Sequence, residues 1–306
     1  METRRLRILL ELSRLGSMRA VADEMGITTS TVSQQVAALA GEVGAALIEP
    51  HGRRVRLTPA GRRLAEHSVT ILAAVDAARL DLDPGGEPAG TVRVSGFATA
   101  IRRSLLPVVA GLGDSRVRVA IFEHEPFEQF ALLASDDIDL ALMYDYNLAP
   151  VAFDPSLVAR PIWSAPWSLG VPADAPPPGR AAREPGITDF RGHDWIVNSR
   201  NTADEDVVRT LASIAGFAPH VVHRADSLAL VQDLIVAGLG VGMLPADHPT
   251  LPGVRLVPLS DPPVLLRAYA VTRRGRADWP PLALVLRMLA AGTPPPRPGT
   301  DRQRPA

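Results

Sequence analysis

The chain contains no cysteine. Disulfides, thiolate metal sites and thiol catalysis are excluded together. No GxSxG elbow, HExxH pair or Walker A loop occurs in its 306 residues, so the common hydrolase, metalloprotease and nucleotide-binding signatures are missing. Glu123-His124-Glu125 is the nearest approach to a metal motif, but neighbours on a strand end point to opposite faces and chelate poorly. His220 and His223 also fall on opposite faces of a strand. No catalytic residue, metal ligand or cofactor is expected, and the chain reads as something other than an enzyme. A secretory leader is not expected either, because METRRLRILLEL is too charged and its apolar run too short. The longest apolar stretch, Ser227 to Ala246, carries one charge, Asp233. That charge would cost about 3 kcal/mol at a bilayer centre, and the glycines divide the stretch into helix and strand. It reads as a buried helix–turn–strand, so no membrane partner and a cytoplasmic location are expected. Its GLGVG is no dinucleotide fingerprint, since helix precedes strand. No repeat of solenoid period is present.

What is present is concentrated near the N-terminus. Ser17 can cap a helix from Met18 to Met25, which Gly26 ends by adopting the left-handed conformation cheaply. Thr28 can cap a second helix from about Thr29 to Ala40. That helix would bury Val32, Val36 and Leu39. Its outward face would carry Thr29, Ser30, Thr31, Ser33, Gln34 and Gln35. A merely solvated helix favours Lys and Glu, whereas short hydroxyls and amides hydrogen-bond base edges and phosphates. A Ser/Thr-rich surface helix remains the plain alternative for this segment alone. The next segment bears on the choice. Leu47–Glu49 and Val55–Leu57 can pair as strands around a tip carrying His51, Arg53 and Arg54, with Arg56 behind. Guanidinium groups on a protruding tip suit phosphate or minor-groove contact. Residues 1–63 hold ten Arg against six Asp plus Glu, a net charge of +4, while the whole chain is −1. Positive charge is therefore segregated toward this motif.

The stretch GSMRAVADEMGITTSTVSQQV, followed by LIEPHGRRVRLTPAG, resembles the LysR-type transcriptional regulators over about 60 residues, without insertion or deletion. The resemblance implies a winged helix-turn-helix and double-stranded DNA as partner. It implies base reading by Thr29, Ser30, Thr31, Ser33 and Gln34, and wing contacts by Arg53 and Arg54. This chain departs from the family pattern at Pro50, where the wing usually has arginine. It also departs at Ile48, usually phenylalanine, and at Ala40-Gly41.

A long helix should follow. Thr58 is a plausible N-cap and Pro59 suits the first helical position. Leu64, Ser68, Ile71, Val75, Ala78 and Leu82 follow alternating spacings of 4 and 3, a heptad seam. Such a helix of about 24 residues spans about 36 Å. A small N-terminal domain is not expected to cover that stripe, so a second copy of the chain is expected on Leu64, Ile71, Val75 and Leu82. Packing against the chain's own C-terminal domain is the alternative. A dimer or tetramer would suit a DNA site with two half-sites.

From Gly90 the pattern alternates strand and helix. TVRVSGF, VRVAIFE and DLALMYDY read as strands separated by TAIRRSLLPVVAGL and PFEQFALLASDD as helices. A second unit begins at WSLGVPA, and LRAYAVTRR returns as a strand before PPLALVLRMLA. This predicts parallel sheet covered by helices. Building one sheet, crossing to another and returning fits a two-lobed architecture like that of periplasmic binding proteins, which the LysR effector domain resembles. GTVRVSG, LLP, Glu123, DIDLAL and VAGLGVGMLP carry that weaker part of the resemblance. The overall class is α+β. Expected units are a winged helix-turn-helix over 1–61, a linker helix over 62–83, and an effector-binding domain over 90–292. Lobe one would comprise 90–162 and 267–292, and lobe two 163–266. A disordered Pro- and Arg-rich tail over 293–306 and a proline-rich loop over 172–186 are expected as well.

Ligands in such folds sit beyond the carboxyl ends of parallel strands. That selects the turn Ser95–Ala100, with Thr99 and Ala100, Tyr144–Tyr146 at the end of the third strand, Asn198–Thr202 in the second lobe, with Asn198 and Ser199, and Ser227 at a helix start. The turn Glu123–Phe127 faces the same region, and Glu125-Pro126 replaces a small hydroxyl residue common in the family. Asp145 is expected to add a carboxylate near the cleft, so the anionic ligand common in the family is not assured. The chain is thus expected to be a DNA-binding regulator controlled by an unidentified small effector. A regulator with a collapsed, unliganded cleft, or a two-lobed enzyme or solute receptor with a DNA-binding head, are the alternatives.

Overall fold

The computed structural model describes residues 1–51, 54–83, 86–174 and 186–292, and of Arg54 the backbone alone. Arg53, the Arg54 side chain, most of the proline-rich loop and the tail 293–306 lie outside the described residues. The N-terminal unit begins with α1 (Thr3–Leu15), α2 (Met18–Met25) and α3 (Thr29–Val43). Ser17 caps α2, its hydroxyl accepting from the Ala20 N–H at 3.4 Å. Thr28 caps α3, accepting from the Thr31 N–H at 3.1 Å. Gly41 does not end α3, because a helical glycine costs only about 1 kcal/mol and packing extends past it. The stop is Gly44, at φ 67°. Leu6, Ile8, Leu9, Val21, Val32, Val36 and Leu39 form the core of this unit. Each such side chain stabilises by about 1.5–3 kcal/mol on burial. β1 (Ile48–His51) and β2 (Arg54–Leu57) make an antiparallel hairpin, with Glu49 opposite Arg56 and Pro50 opposite Val55. Proline is accommodated in so short an edge strand because its missing N–H is not needed.

Helix α4 (Pro59–Asp81) follows, capped by Thr58, which accepts from the Gly61 N–H at 3.0 Å. Its most buried positions are Ala65, Ser68, Val69, Leu72 and Ala73. This stripe is rotated from the heptad seam, and α1 packs along it. The expectation that nothing in the N-terminal unit could cover α4 is therefore corrected in part. Leu64 and Ile71 rest half-buried against the N-terminal core. Val75 is half-buried, Ala78 is exposed, and Leu82 is 84% exposed. Farther along, α4 meets the chain's own C-terminal region. Thr70 Oγ1 donates to the Arg274 carbonyl at 3.4 Å.

The C-terminal region runs β3 (Gly90–Gly96), α5 (Ala98–Ala100), α6 (Leu106–Gly111), β4 (Val117–Glu123), α7 (Pro126–Ala134) and β5 (Leu140–Tyr146). It continues with β6 (Leu157–Pro172), β7 (Asp194–Val197), α8 (Ala203–Ile214), β8 (His220–Arg224), α9 (Leu228–Val236) and β9 (Val241–Pro245). β10 (Val254–Pro258), β11 (Val264–Arg273) and α10 (Pro280–Ala291) complete it. The single helix expected after β3 is instead interrupted by a π turn over Ile101–Leu105. Pro107 lacks the N–H that an unbroken α-helix would donate at that point, so the ladder must adjust there.

Two separate sheets were the expectation; among the described residues one nine-stranded sheet serves both halves, in the order β4-β3-β5-β11-β6-β9-β7-β8, with β10 beside β6. The reason is β6, a 16-residue strand. Its first part, to Trp167, pairs with β11, and its last part, from Trp167, pairs with β9 and β10. β3, β4 and β5 are mutually parallel, as are β7, β8 and β9. Two parallel blocks thus flank an antiparallel centre. The stretch Ser227–Ala246 divides into α9 and β9, and no described helix is long and apolar enough to cross a membrane.

Candidate functional sites

The outward face of α3 presents Thr29, Ser30, Ser33 and Gln34 fully to solvent, with Thr31 half-exposed. Two hydroxyls are already engaged locally. Thr28 Oγ1 lies 2.8 Å from both Ser30 Oγ and Thr31 Oγ1. This shared bond fixes the first turn of the helix. Gln35 is not part of the free face, because Arg5 Nε donates to its Oε1 at 3.0 Å. Arg5 also pairs with Glu42. Ser33 and Gln34 have no side-chain partner among the described residues and are exposed. In the hairpin, Arg56 is held by Glu49 at 2.5 Å, which removes one cation from the wing's free charge. His51 is exposed at the end of β1.

The second site is a cleft of about 570 Å³ between the two parallel blocks. Thr99, Tyr144, Asn198, Ser199 and Ser227 all line it. Ala100 does not; it is the last residue of α5 and is fully buried. Asp145 is also elsewhere, correcting the expectation that it adds charge to the cleft. Alternate side chains on a strand face opposite ways, so Tyr144 and Tyr146 share one face and Asp145 takes the other. There it receives Arg267 Nη2 and Nε at 2.7 and 2.8 Å and the Val151 N–H at 3.0 Å.

Glu125 and the segment 198–202, both expected here from sequence, dominate the cleft together with Asp204 and Asp226, which were not. Asn201 Nδ2 donates to Glu125 Oε2 at 2.7 Å, and the Tyr144 hydroxyl donates to the same oxygen at 3.3 Å. Arg200 lies 3.4 Å from Asp226, 3.6 Å from Glu128 and 3.8 Å from Glu125. The Tyr146 hydroxyl donates to Asp204 at 2.7 Å, and the Asp204 N–H donates to Asn198 Oδ1 at 2.8 Å. The loop 198–202 thereby ties the block containing β7 to the block containing β5. Ser199 is oriented by Asp226, which accepts its N–H at 2.9 Å and its hydroxyl as well. Ser227 spends its hydroxyl on capping α9, accepting from the Leu230 N–H at 3.5 Å.

Burial, reinforced by the charge of Asp226, pushes the Glu125 carboxyl up to about 7 against the pull of Arg200. Burial likewise pushes Asp204 up to about 7 despite the bond from Tyr146. The cleft therefore holds two carboxyl groups that exchange protons near neutrality. No group of three or more His, Asp or Glu among the described residues could hold a metal. The cleft offers a bound molecule hydrogen-bonding groups, charged groups and aromatic side chains.

Residues 85–293 match the family described as "LysR substrate binding domain", and residues 3–62 match "Bacterial regulatory helix-turn-helix protein, lysR family". The transcriptional dual regulator GltC of Bacillus subtilis is 28% identical over 251 residues, covering 80% of this chain and 81% of that protein. A probable hydrogen peroxide-inducible genes activator of Mycobacterium avium is 27% identical over 245 residues, covering 78% and 76%. The fold is that of a full-length OxyR variant from Pseudomonas aeruginosa, with TM-score 0.70 at 20% identity over 96% of this chain and 97% of that one.

Proposed function

The chain belongs to the LysR family of DNA-binding transcriptional regulators, and from that premise we propose how its two sites divide the work. The helix-turn-helix unit, residues 1–61, reads operator DNA through Thr29, Ser30, Thr31, Ser33 and Gln34, with Arg53 and Arg54 on the wing contacting phosphates. The linker helix, residues 62–83, joins two copies along the open positions Val75 and Leu82, helped by Leu64 and Ile71. The region 90–292 binds a small effector through Thr99, Tyr144, Asn198, Ser199 and Ser227. Lobe one, 90–162 with 267–292, and lobe two, 163–266, close on it. The protein works in the cytoplasm, where its operator is. A change of lobe angle alters the angle between DNA-binding units.

One observation carries this reading: Ser33 and Gln34 are exposed, polar and without an internal partner on a helix whose first turn is fixed by Thr28. A merely solvated face favours Lys and Glu, whereas unpaired short hydroxyls and amides suit base edges and phosphates. The effector is a bound molecule rather than an oxidant sensed by a thiol, because the chain has no cysteine to oxidise.

Gln34→Ala tests the assignment. An amide paired to a base edge contributes about 1–3 kcal/mol of discrimination. The variant should bind its operator that much more weakly and bind random duplex as before, measured by fluorescence anisotropy at fixed salt. Operator and random-duplex affinities both unchanged from wild type would remove α3 as the reader.

A further inference from the structure

The charges that line the cleft are not balanced in the way an anion requires. Four carboxylates face it: Glu123, Glu125, Asp204 and Asp226. Three guanidinium groups do so: Arg102, Arg200 and Arg224. Two of these are committed elsewhere. Arg224 Nη2 donates to Glu205 at 2.7 Å and Nη1 to the Asn198 carbonyl at 3.3 Å. Arg200 is shared among Asp226, Glu128 and Glu125. That leaves Arg102, exposed on the rim, as the guanidinium with no ion pair among the described residues. A ligand carboxylate would meet one free cation beside Glu123, which has no ion pair among the described residues, and Glu125, whose nearest guanidinium is Arg200 at 3.8 Å.

The apolar part of the wall points the same way. Phe97, Tyr144 and Trp167 present rings to the cleft. Phe97 and Tyr144 lie 4.6 Å apart between ring centroids, and the Tyr144 hydroxyl is 3.3 Å from Glu125. A nearly buried carboxylate in a cleft that aromatic rings also line is a combination that suits an organic cation, because the ring quadrupole and the carboxylate attract the same charge. We infer that the cleft takes a small ligand bearing an ammonium group, seated against Glu125 and the rings of Phe97 and Tyr144. This inference rests on the cleft being the effector site. Thr99 follows β3 and Glu125 follows β4, adjacent parallel strands joined in register at Gly96 and Glu123. With strands about 4.8 Å apart, one small molecule can reach both. An amine and an amino acid share the ammonium contact; an amino acid adds a carboxylate for Thr99 and Arg102.

Proton linkage makes the ligand's charge readable. Glu125 titrates near 7, faced by Asp226 ahead of α9, Arg200 ahead of α8, Asp204 on α8, Glu128 on its own helix and Tyr144 on β5. A cation binds the ionised carboxylate, so affinity rises with pH through 7, by about tenfold between pH 6 and 8 for one linked proton. An anion shows the opposite slope.

The experiment measures thermal-midpoint shifts and calorimetric affinities of the full chain with matched probes. These are putrescine against succinate, phenethylamine against phenylacetate, and L-leucine and L-lysine against 4-methylpentanoate and hexanoate. At least one ammonium probe should bind while its carboxylate-only counterpart does not. Its affinity should rise about tenfold from pH 6 to 8. Glu125→Gln, which keeps the shape and an acceptor oxygen, should weaken it at least tenfold and flatten the pH slope. Arg102→Ala should weaken an amino acid and leave a simple amine unchanged. Binding by carboxylate probes alone, by no ammonium probe, or by an ammonium probe indifferent to Glu125→Gln would overturn the inference. Thr99→Trp fills the cleft. If a probe still binds that variant as tightly as wild type, the effector-site reading itself fails, a distinct result.

Discussion

Asp139→Asn attacks the buried charge cluster where the effector region meets the linker helix. Asp139 is 0% exposed at its side chain. Its Oδ2 accepts from the Arg93 N–H at 2.9 Å and Arg93 Nε at 3.1 Å. Its Oδ1 accepts from Arg93 Nη2 at 2.9 Å and from Arg276 Nη2 and Nε at 2.7 and 3.2 Å. Asparagine can keep the Oδ1 set, but its amide NH₂ then faces two Arg93 donors. Each unsatisfied buried donor costs about 1–3 kcal/mol, so these two account for about 2–6. Removing one partner of a buried ion pair costs about 3–5 kcal/mol by a separate route. The two figures agree, and about 3–5 kcal/mol is a large share of a typical 5–15 kcal/mol stability. The four tryptophans all lie at or beyond Trp163, so urea unfolding followed by tryptophan fluorescence reports on this region alone. Asp137→Asn is the control, since Asp137 is exposed and should change stability by less than about 0.5 kcal/mol. Burial would raise the Asp139 carboxyl, but hydrogen bonds from Arg93 and the charges of Arg276 and Arg93 outweigh it and hold it below its ordinary value. A depressed carboxyl stabilises the fold above its unfolded value of about 3.9 and loses that contribution as pH falls through the folded value. The gap between wild type and Asp139→Asn should therefore be full at pH 7 and close below about pH 4. A loss under about 1 kcal/mol at pH 7 would mean that water satisfies both arginines, and the reasoning fails.

Two further outcomes separate the linker's roles. Val75→Asp combined with Leu82→Asp places charge on the open side of α4, where an unpaired buried carboxylate in a dimer costs several kcal/mol. Sedimentation should give a folded monomer without operator binding; a persistent dimer would move the interface elsewhere. Gly275→Ala tests the contact between α4 and the turn after β11. Gly275 has φ 78°, and an added Cβ would stand 2.1 Å from Thr70 Oγ1, so the variant should lose more than about 1 kcal/mol in thermal or urea unfolding. Unchanged stability would show that α4 does not rest on that turn.

What the sequence made legible was governed by local rules. Ser17, Thr28 and Thr58 each accept an N–H three residues on, as capping chemistry requires. The strand–helix alternation from Gly90 placed most elements because period-2 and period-3.6 patterns are written in adjacent residues. β10 was not anticipated, since VRLVP is short and its partner Val171 is far along the chain. Nor was the continuity of the sheet, which depends on β6 pairing with β11 at one end and β9 and β10 at the other.

The cleft shows the same division. Thr99, Tyr144, Asn198 and Ser199 follow from the rule that ligands sit beyond strand ends, and Ala100 fails because the rule fixes a location without fixing which side chain turns inward. Asp145 fails for the same reason: register alone decides that Tyr144 faces the cleft and Asp145 faces Arg267. Arg200 fell within the segment expected at the cleft, but its pairing carried no signal in the sequence, and neither did Asp204 or Asp226. An arginine among carboxylates reads as ordinary surface until the fold brings Glu125, more than 70 residues earlier, within 3.8 Å of it. Charge that is free and charge that is already paired look identical in a sequence. The inferred preference for a cation depends on that difference, because Arg200 and Arg224 are shared with carboxylates, while Glu123 has no ion pair among the described residues and Glu125 reaches Arg200 only at 3.8 Å.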